Sequence, residues 1–353
     1  MKRLSSGKST KNHWRTVIAV WAIKLVFSIL QMNSENTVKV SVCCGTFNHK
    51  PYLRECLESL LMQKTSFEYE ILLHDDASTD GTTEIVKEYA AKYPERIRPV
   101  IQTVNQYSSN TRAIITTFLL PLARGEYISL CEGDDYWTDP FKLQKQVDVM
   151  ENDPDISLCL HPAVSLKPNG RKKIRSLYAK SQPACITDII RWKQLFWPTA
   201  SLLYRKEMMT DYPDFCLKCH IGDAPLVHYM AIRGKVYYLN EAMSVYRKNV
   251  PGSHSDRCRN ISDPDRQEIC RTEFEMLDGF NRLTKYIYNF HFIKRKLYVQ
   301  SCILSRRRNY FRIKVYDGFY ADLKQMPAKE RLRLWKKIYL SPLFKRHIYK
   351  TNT

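Results

Sequence analysis

From residue 38 onward, short and nearly continuous apolar runs alternate with helix-like stretches, and three of the runs end abruptly in polar clusters. This alternation restricts the chain to few architectures. An apolar run without an in/out pattern must be covered on both faces, which is the environment of a parallel strand between two helical layers. Residues 38–44, 70–74, 97–101 and 126–131 are such runs. Between them, Pro51 opens a helix with Leu53, Cys56, Leu57, Leu60 and Leu61 on one face. The capping-rich turn from Asp75 to Gly81 starts another helix, which runs to about Tyr93 and is stopped by Pro94. A loop with Asn105, Asn110 and Arg112 then leads into a helix ending near Ala123. Residues 139–152 read as a helix opened by Asp139-Pro140. Further strand signals lie at 156–160, 201–204 and 236–239, and beyond about residue 265 the pattern is helical, basic and aromatic. The expected fold class is α/β. Ligands in such folds gather beyond the carboxyl ends of the strands, so the polar clusters after three strands should converge on one crevice.

Charge says what surrounds that body. The formal net charge of +20 is concentrated at the ends: residues 281–353 carry 19 Lys and Arg against 3 Asp and Glu, and residues 1–40 carry 7 against 1. The middle is slightly acidic, which is not a nucleic-acid-binding surface and points to a catalytic body with basic appendages held against something anionic. Solvated helix faces are the other reading of the same charges. The expected division is an N-terminal basic and apolar extension (1–37), a catalytic domain (38–260) and a basic, aromatic, mainly helical region (261–353). The apolar run after Trp14 is interrupted by Lys24 and followed by no small-residue cleavage site, so it reads as an interfacial segment or an extension rather than a spanning helix.

The 11 cysteines are odd in number and scattered without a repeating spacing, which points to reduced thiols in a cytosol. Cys216-Leu-Lys-Cys219-His220 matches a haem-attachment spacing. A single copy without a secretory context does not support haem, and no second pair completes a zinc site.

Glu132-Gly-Asp134-Asp135-Tyr-Trp137 is the sharpest local signal. Carboxylates crowded at a strand end repel one another, and a hard divalent cation such as Mg²⁺ or Mn²⁺ resolves the repulsion by binding one or two of them together with phosphate oxygens. A solvated turn capping the next helix is the alternative. At the end of the second run, Asp76 is placed to accept from a base or a ribose hydroxyl, and Ser78 to Gly81 serve mainly as caps.

Three blocks in order, Val40-Ser-Val-Cys-Cys-Gly-Thr46-Phe47-Asn48, Glu70-Ile-Leu-Leu-His-Asp75-Asp76-Ala-Ser-Thr-Asp-Gly and Gly125-Glu-Tyr-Ile-Ser-Leu-Cys-Glu-Gly-Asp134-Asp135-Tyr-Trp, together resemble the bacterial family 2 glycosyltransferases of GT-A fold. Pro198-Thr-Ala-Ser201, Ile221-Gly-Asp223 and Ser244-Val-Tyr-Arg247 extend the likeness over roughly residues 38–250. It implies a Rossmann-like mixed sheet flanked by helices, here with a helical basic C-terminal extension. It also implies Asp223 as catalytic base, Asp134 and Asp135 as the metal pair, and Thr46, Phe47, Asn48, Asp76, Arg112 and Asp134 around the nucleotide-sugar. His254 is the candidate for completing the metal shell. Trp197, Thr199 and Ser201 are expected on the acceptor side, since aromatic faces suit sugar rings. Members often have Pro-Thr-Tyr-Asn where this chain has Gly45-Thr46-Phe47-Asn48, and stacking on a base survives that change.

The implied activity is inverting transfer from a nucleotide-diphosphate-sugar, with UDP expected, to a hydroxyl of a glycan or lipid-linked acceptor in cell-surface polysaccharide synthesis. The expected cofactor is Mg²⁺ or Mn²⁺. The basic tail, 281–353, suits an anionic membrane surface, which would place the chain in the cytoplasm against the inner face of the cell membrane, with no nucleic acid as partner. Two rivals remain open here. A nucleotidyltransferase would want a glycine-rich basic loop after the first strand, which Cys-Cys-Gly-Thr-Phe-Asn does not supply. A non-catalytic sugar- or nucleic-acid-binding protein would not need Asp134, Asp135 and Asp223 together.

Overall fold

The computed structural model describes residues 38–108, 113–174, 176–191, 197–251, 253, 256, 262–304 and 318–336. The N-terminal half runs β1 (Val40–Thr46), α1 (Lys50–Leu61), β2 (Tyr69–Asp75), α2 (Thr82–Lys92), β3 (Ile97–Ile101) and β4 (Tyr127–Glu132). It continues through β5 (Tyr136–Trp137), α3 (Lys142–Asn152), β6 (Ile156–Leu160), β7 (Ala163–Leu166), β8 (Lys172–Ile174), β9 (Gln182–Pro183), α4 (Ile186–Arg191) and β10 (Leu203–Arg205). Then follow α5 (Asp214–Leu217), α6 (Asp223–Arg233), β11 (Lys235–Tyr238), β12 (Ser244–Arg247), α7 (Asp263–Leu283), α8 (Asn289–Leu304), α9 (Phe319–Gln325) and α10 (Ala328–Trp335).

The large sheet has the order β3-β2-β1-β4-β10-β6-β11-β9. Its first four strands are parallel, whereas β10 runs antiparallel to both β4 and β6, so the sheet is mixed. Strand order reverses at β1, which has β2 on one side and β4 on the other. That reversal opens a crevice at the carboxyl edge. Register brings the three strand ends to one level: Gly45 pairs with both His74 and Glu132, and Thr46 pairs with Asp75.

Two-sided burial accounts for the unbroken apolar runs. Val40, Val42 and Cys44 pack with Leu53, Cys56, Leu57 and Leu60 of α1, Ile85 and Val86 of α2, and Val147 and Met150 of α3. Cys43, Leu72, Ile128 and Leu130 face the other layer, with Leu226, Val227 and Met230 of α6 and with Phe280 and Phe292 of α7 and α8. Each fully buried Leu in these layers contributes roughly 1.5–3 kcal/mol. Helices α7 and α8 therefore share a core with the sheet. Ser262 caps α7 by accepting from the Asp265 backbone N–H, as Ser does at helix N-termini.

One expected element differs. The helix leading to Ala123 is a π-helical turn (Ile115–Leu119) followed by a 3₁₀ turn (Leu120–Leu122). Pro121 has no N–H to continue an α-helical ladder, and the N–H of Leu120 reaches back to Ile115 instead. A second sheet, β5-β12-β7-β8, lays β12 beside β5 and so beside the acidic segment. Residues 1–37 lie outside the described residues. Among the described residues no helix is long and apolar enough to cross a membrane.

Candidate active site

The crevice is a cavity of about 340 Å³ reached by the exits of β1, β2 and β4 and by the start of α6. Thr46, Phe47, Asp76, Asp134, Trp197, Thr199 and Asp223 all line it. Its walls divide by chemistry. Asp76, Asn105 and Tyr107 stand on the side of β2, whereas Trp197, Tyr204, Tyr212, Leu226 and His220 make a largely apolar wall toward α5 and α6.

The acidic segment spans β4 and β5. One ligand oxygen from each of Glu132, Asp134 and Asp135 lies within 4.8 Å of the others. Gly133 permits this crowding: its N–H donates to the Gly45 carbonyl at 2.8 Å, and a Cβ there would stand 2.7 Å from Thr46 Oγ1 and 2.9 Å from Thr46 Cβ. Asp135 is buried, its Oδ1 accepts from the Arg247 backbone N–H at 2.9 Å, and its Oδ2 is enclosed without a hydrogen-bond partner. Burial and the neighbouring charges of Asp134 and Glu132 push the Asp135 carboxyl well above the ordinary carboxylate range, against the pull of Arg247. Glu132 opens to the cavity yet is hemmed in by protein, and burial together with Asp134 and Asp223 pushes it up to about 8. A buried carboxylate oxygen without a partner, beside two more carboxylates, fits a hard divalent cation with oxygen ligands.

Arg247, at the end of β12, clamps the segment. Its Nη1 donates to the Asp134 carbonyl at 2.6 Å, its Nη2 pairs with Glu55, and its guanidinium stacks over the rings of Tyr52 and Tyr136. His49 Nε2 approaches Asp134 Oδ2 at 3.9 Å. No role was read for Arg247 or His49 in the sequence. The available signal for Arg247 was its place at the end of the short Ser244-Val-Tyr-Arg247 strand.

Asp223 is the first residue of α6. Burial pushes its carboxyl up to about 6, opposed by hydrogen bonds from the first backbone N–H groups of the helix. Asp76 is buried, and its two carboxylate oxygens accept from the backbone N–H groups of Gln106 and Tyr107 at 2.7 and 3.0 Å. It therefore ties the loop after β3 to the cavity wall. The adjacent Asp75 accepts from the hydroxyls of Ser78 and Thr83.

Three expected site residues do not line the cavity: Asp135, buried beside Asp134, and Asn48 and Ser201. The Asn48 side chain accepts from the Thr79 N–H at 2.8 Å and holds the turn after β2. Ser201 is fully buried and donates to the Pro198 carbonyl at 2.8 Å, shaping the turn that presents Trp197 and Thr199. Arg112 and His254 lie outside the described residues. Nine of the described cysteines are free thiols. Of the haem-like segment, Cys216, Cys219 and His220 line the cavity, and His220 Nδ1 lies 3.0 Å from Thr272 Oγ1.

The family model for glycosyl transferase family 2 matches residues 41–217. The chain belongs to this family. An uncharacterized protein of Mycobacterium tuberculosis is 35% identical over 214 residues, 60% of each chain, so the match spans about three fifths of that relative's length. The poly(ribitol-phosphate) beta-glucosyltransferase of Bacillus spizizenii is 29% identical over 175 residues, which are 49% of this chain and 26% of that protein. Among solved structures, residues 1–349 of Staphylococcus aureus TarS in complex with UDP-GlcNAc superpose with a TM-score of 0.55 at 17% identity, covering 90% of this chain and 93% of the other. The fold of this family 2 chain is GT-A.

Proposed function

We propose that the chain transfers a hexose from a UDP-sugar to a hydroxyl of a glycan or lipid-linked acceptor, with inversion, in cell-surface polysaccharide synthesis. The observation that carries the reading is that Asp223 and the acidic segment open into one cavity between a polar wall and an apolar, aromatic one. The donor in the TarS complex and the beta-glucosyl transfer in the name of the Bacillus relative support UDP and the linkage.

Asp223, ionised, accepts the proton of the attacking hydroxyl. Thr46, Phe47 and Asp76 hold the nucleotide at the ends of β1 and β2, and Trp197 and Thr199 position the acceptor against the apolar wall. Arg247 fixes the Asp134 backbone and the Asp135 carboxylate, so the acidic segment needs no rearrangement when the donor arrives. Asp134 and Asp135, with Glu132 adjacent, would hold Mg²⁺ or Mn²⁺, which would supply positive charge against the departing diphosphate. A filled apolar wall keeps water from competing for the activated sugar.

The test is release of UDP from a panel of UDP-sugars with an acceptor mixture, with and without a chelator, in the wild type and in Asp134→Asn and Asp223→Asn. Loss of turnover on chelation, restored by Mn²⁺ or Mg²⁺, supports the metal assignment. Turnover that survives both chelation and Asp134→Asn removes it, and donor binding without turnover in Asp223→Asn supports the base.

A further inference from the structure

The helices α7 and α8 form a hairpin whose tip turns four large apolar side chains outward. Leu283, Tyr286, Ile287 and Phe290 are 51, 59, 75 and 39% exposed within eight residues of chain. The inner side of the hairpin is buried in the domain core through Phe280 and Phe292. The tip itself is braced: Asn281 Nδ2 donates to Asn289 Oδ1 at 2.8 Å, and Thr284 Oγ1 donates to the Phe280 carbonyl at 3.0 Å. Lys285 and Tyr286 both hold left-handed backbone conformations, with φ of 49° and 60°. Two consecutive non-glycine residues in that region are strained, and such strain persists where surrounding structure over-determines the turn. This is a preformed convex knob.

Its charge is one-sided. No Asp or Glu occurs from residue 279 to 296. Among the bases there, Lys294 pairs with Glu330, Arg295 with Glu273 and Lys296 with Asp278. Arg282 and Lys285 are exposed and have no ion pair among the described residues. The helix behind the knob, α7, runs back to the apolar wall of the cavity. Gly279, one helical turn before Leu283, backs onto the Phe215 ring, Phe215 meets Phe280 edge to face at 5.2 Å, and Thr272 of α7 bonds His220 of the cavity wall.

We propose that this tip docks into the interface of an anionic lipid bilayer. Tyr286, Ile287, Phe290 and Leu283 enter the headgroup and acyl boundary while Arg282 and Lys285 meet lipid phosphates. Docking there holds the wall carrying His220 and Trp197 beside the membrane, where a lipid-linked hydroxyl would arrive. That last consequence rests on the proposed transfer; the docking itself does not. Four partly exposed side chains on a convex turn fall short of the roughly 800 Å² per partner that a stable protein pair buries. An interfacial anchor needs only apolar side chains with cations beside them.

The test is flotation of the full-length chain with phosphatidylglycerol-containing vesicles and with pure phosphatidylcholine vesicles. Wild type should float with the anionic vesicles. Ile287→Asp with Phe290→Asp should lower the partition coefficient by about tenfold or more, at an unchanged melting temperature. Arg282→Ser with Lys285→Asn should remove the preference for anionic lipid, and Ile287→Leu should bind like wild type. UDP release with a soluble acceptor, measured without vesicles, should be the same in the Ile287→Asp, Phe290→Asp variant and wild type, so a failure of the transfer reading shows up apart from a failure of docking. Wild type that does not float, or floats equally after Ile287→Asp and Phe290→Asp, overturns the proposal. So does a wild-type dimer that Ile287→Asp dissociates in the absence of lipid, which would assign the knob to a second copy of the chain.

Discussion

Asp223 offers a sharp test because its position and its titration bear on the same chemistry. It stands at the start of α6 facing the cavity, and burial pushes its carboxyl up to about 6 even though the first N–H groups of the helix favour its ionised form. A general base works only when ionised, so turnover should be lost as pH falls through that value. The ionised fraction drops from about 0.91 one unit above to about 0.09 one unit below, so kcat should fall about tenfold across those two units. Saturating donor and cation are needed, because Glu132, pushed up to about 8 in the same cavity, otherwise contributes its own limb through donor binding. Asp223→Asn keeps the shape and removes the proton acceptor, and should cost about 10²–10⁴ in kcat while leaving a residual rate without the acid limb. The assay is initial-rate UDP release across pH for both proteins. If the variant keeps wild-type turnover, or the same acid limb, the base lies elsewhere. Stability should move the opposite way. A carboxyl whose folded value is raised is penalised once ionised, with the penalty growing from the ordinary Asp range up to about pH 6 and constant above it. Asp223→Asn should therefore melt higher than wild type at neutral pH, by an amount of order 1–3 kcal/mol, and should gain nothing in strong acid.

Gly133→Ala brings a Cβ to 2.7 Å from Thr46 Oγ1 and 2.9 Å from Thr46 Cβ. It should displace the acidic segment from the end of β1 and weaken Mn²⁺ binding, measured by calorimetry, at least tenfold, while the core strands keep their melting transition. Arg247→Ala removes the hydrogen bond to the Asp134 carbonyl and the partner of Glu55. It should lower kcat by about 10–100-fold without emptying the donor site, and a KM-only effect would refute its clamping role. Lys142 is fully buried, its Nζ 3.1 Å from Ser129 Oγ and over the Trp137 ring, and burial pushes its amine down to about 7. The folded chain thus loses this proton before the unfolded chain does, so stability should rise between about pH 7 and the ordinary lysine value. Lys142→Met should stabilise the fold at neutral pH and flatten that slope in thermal melts, and an unchanged slope would refute the assignment.

The parallel half of the fold was legible because its information is local. The runs at 38–44, 70–74, 97–101 and 126–131 are covered on both faces, so they carry no polar alternation, and each lies within two residues of an observed strand. The acidic segment and the Asp75-Asp76 turn were legible for the same reason, since strand ends place neighbouring residues together whatever follows. The strand signal at 201–204 overlaps β10, but the antiparallel direction of β10, the two-residue strand β5 and the π-helical turn before Ala123 were not legible, because tertiary packing rather than periodicity decides them.

The site divides along the same line. Sequence alone determined that polar clusters follow three strands, because chain direction through a parallel sheet puts every such cluster at one edge; that Asp223 opens a helix was decided by the structure. Only the tertiary structure decided which side chains face the cavity. Asn48 turns to the Thr79 backbone and Ser201 to Pro198, whereas Arg247 reaches the acidic segment from 112 and 113 residues away in the chain. Only the tertiary structure, too, raised the carboxyls of Glu132, Asp135 and Asp223, because those shifts depend on burial and on charges brought close by folding, and neither is a property of a residue's neighbours in sequence.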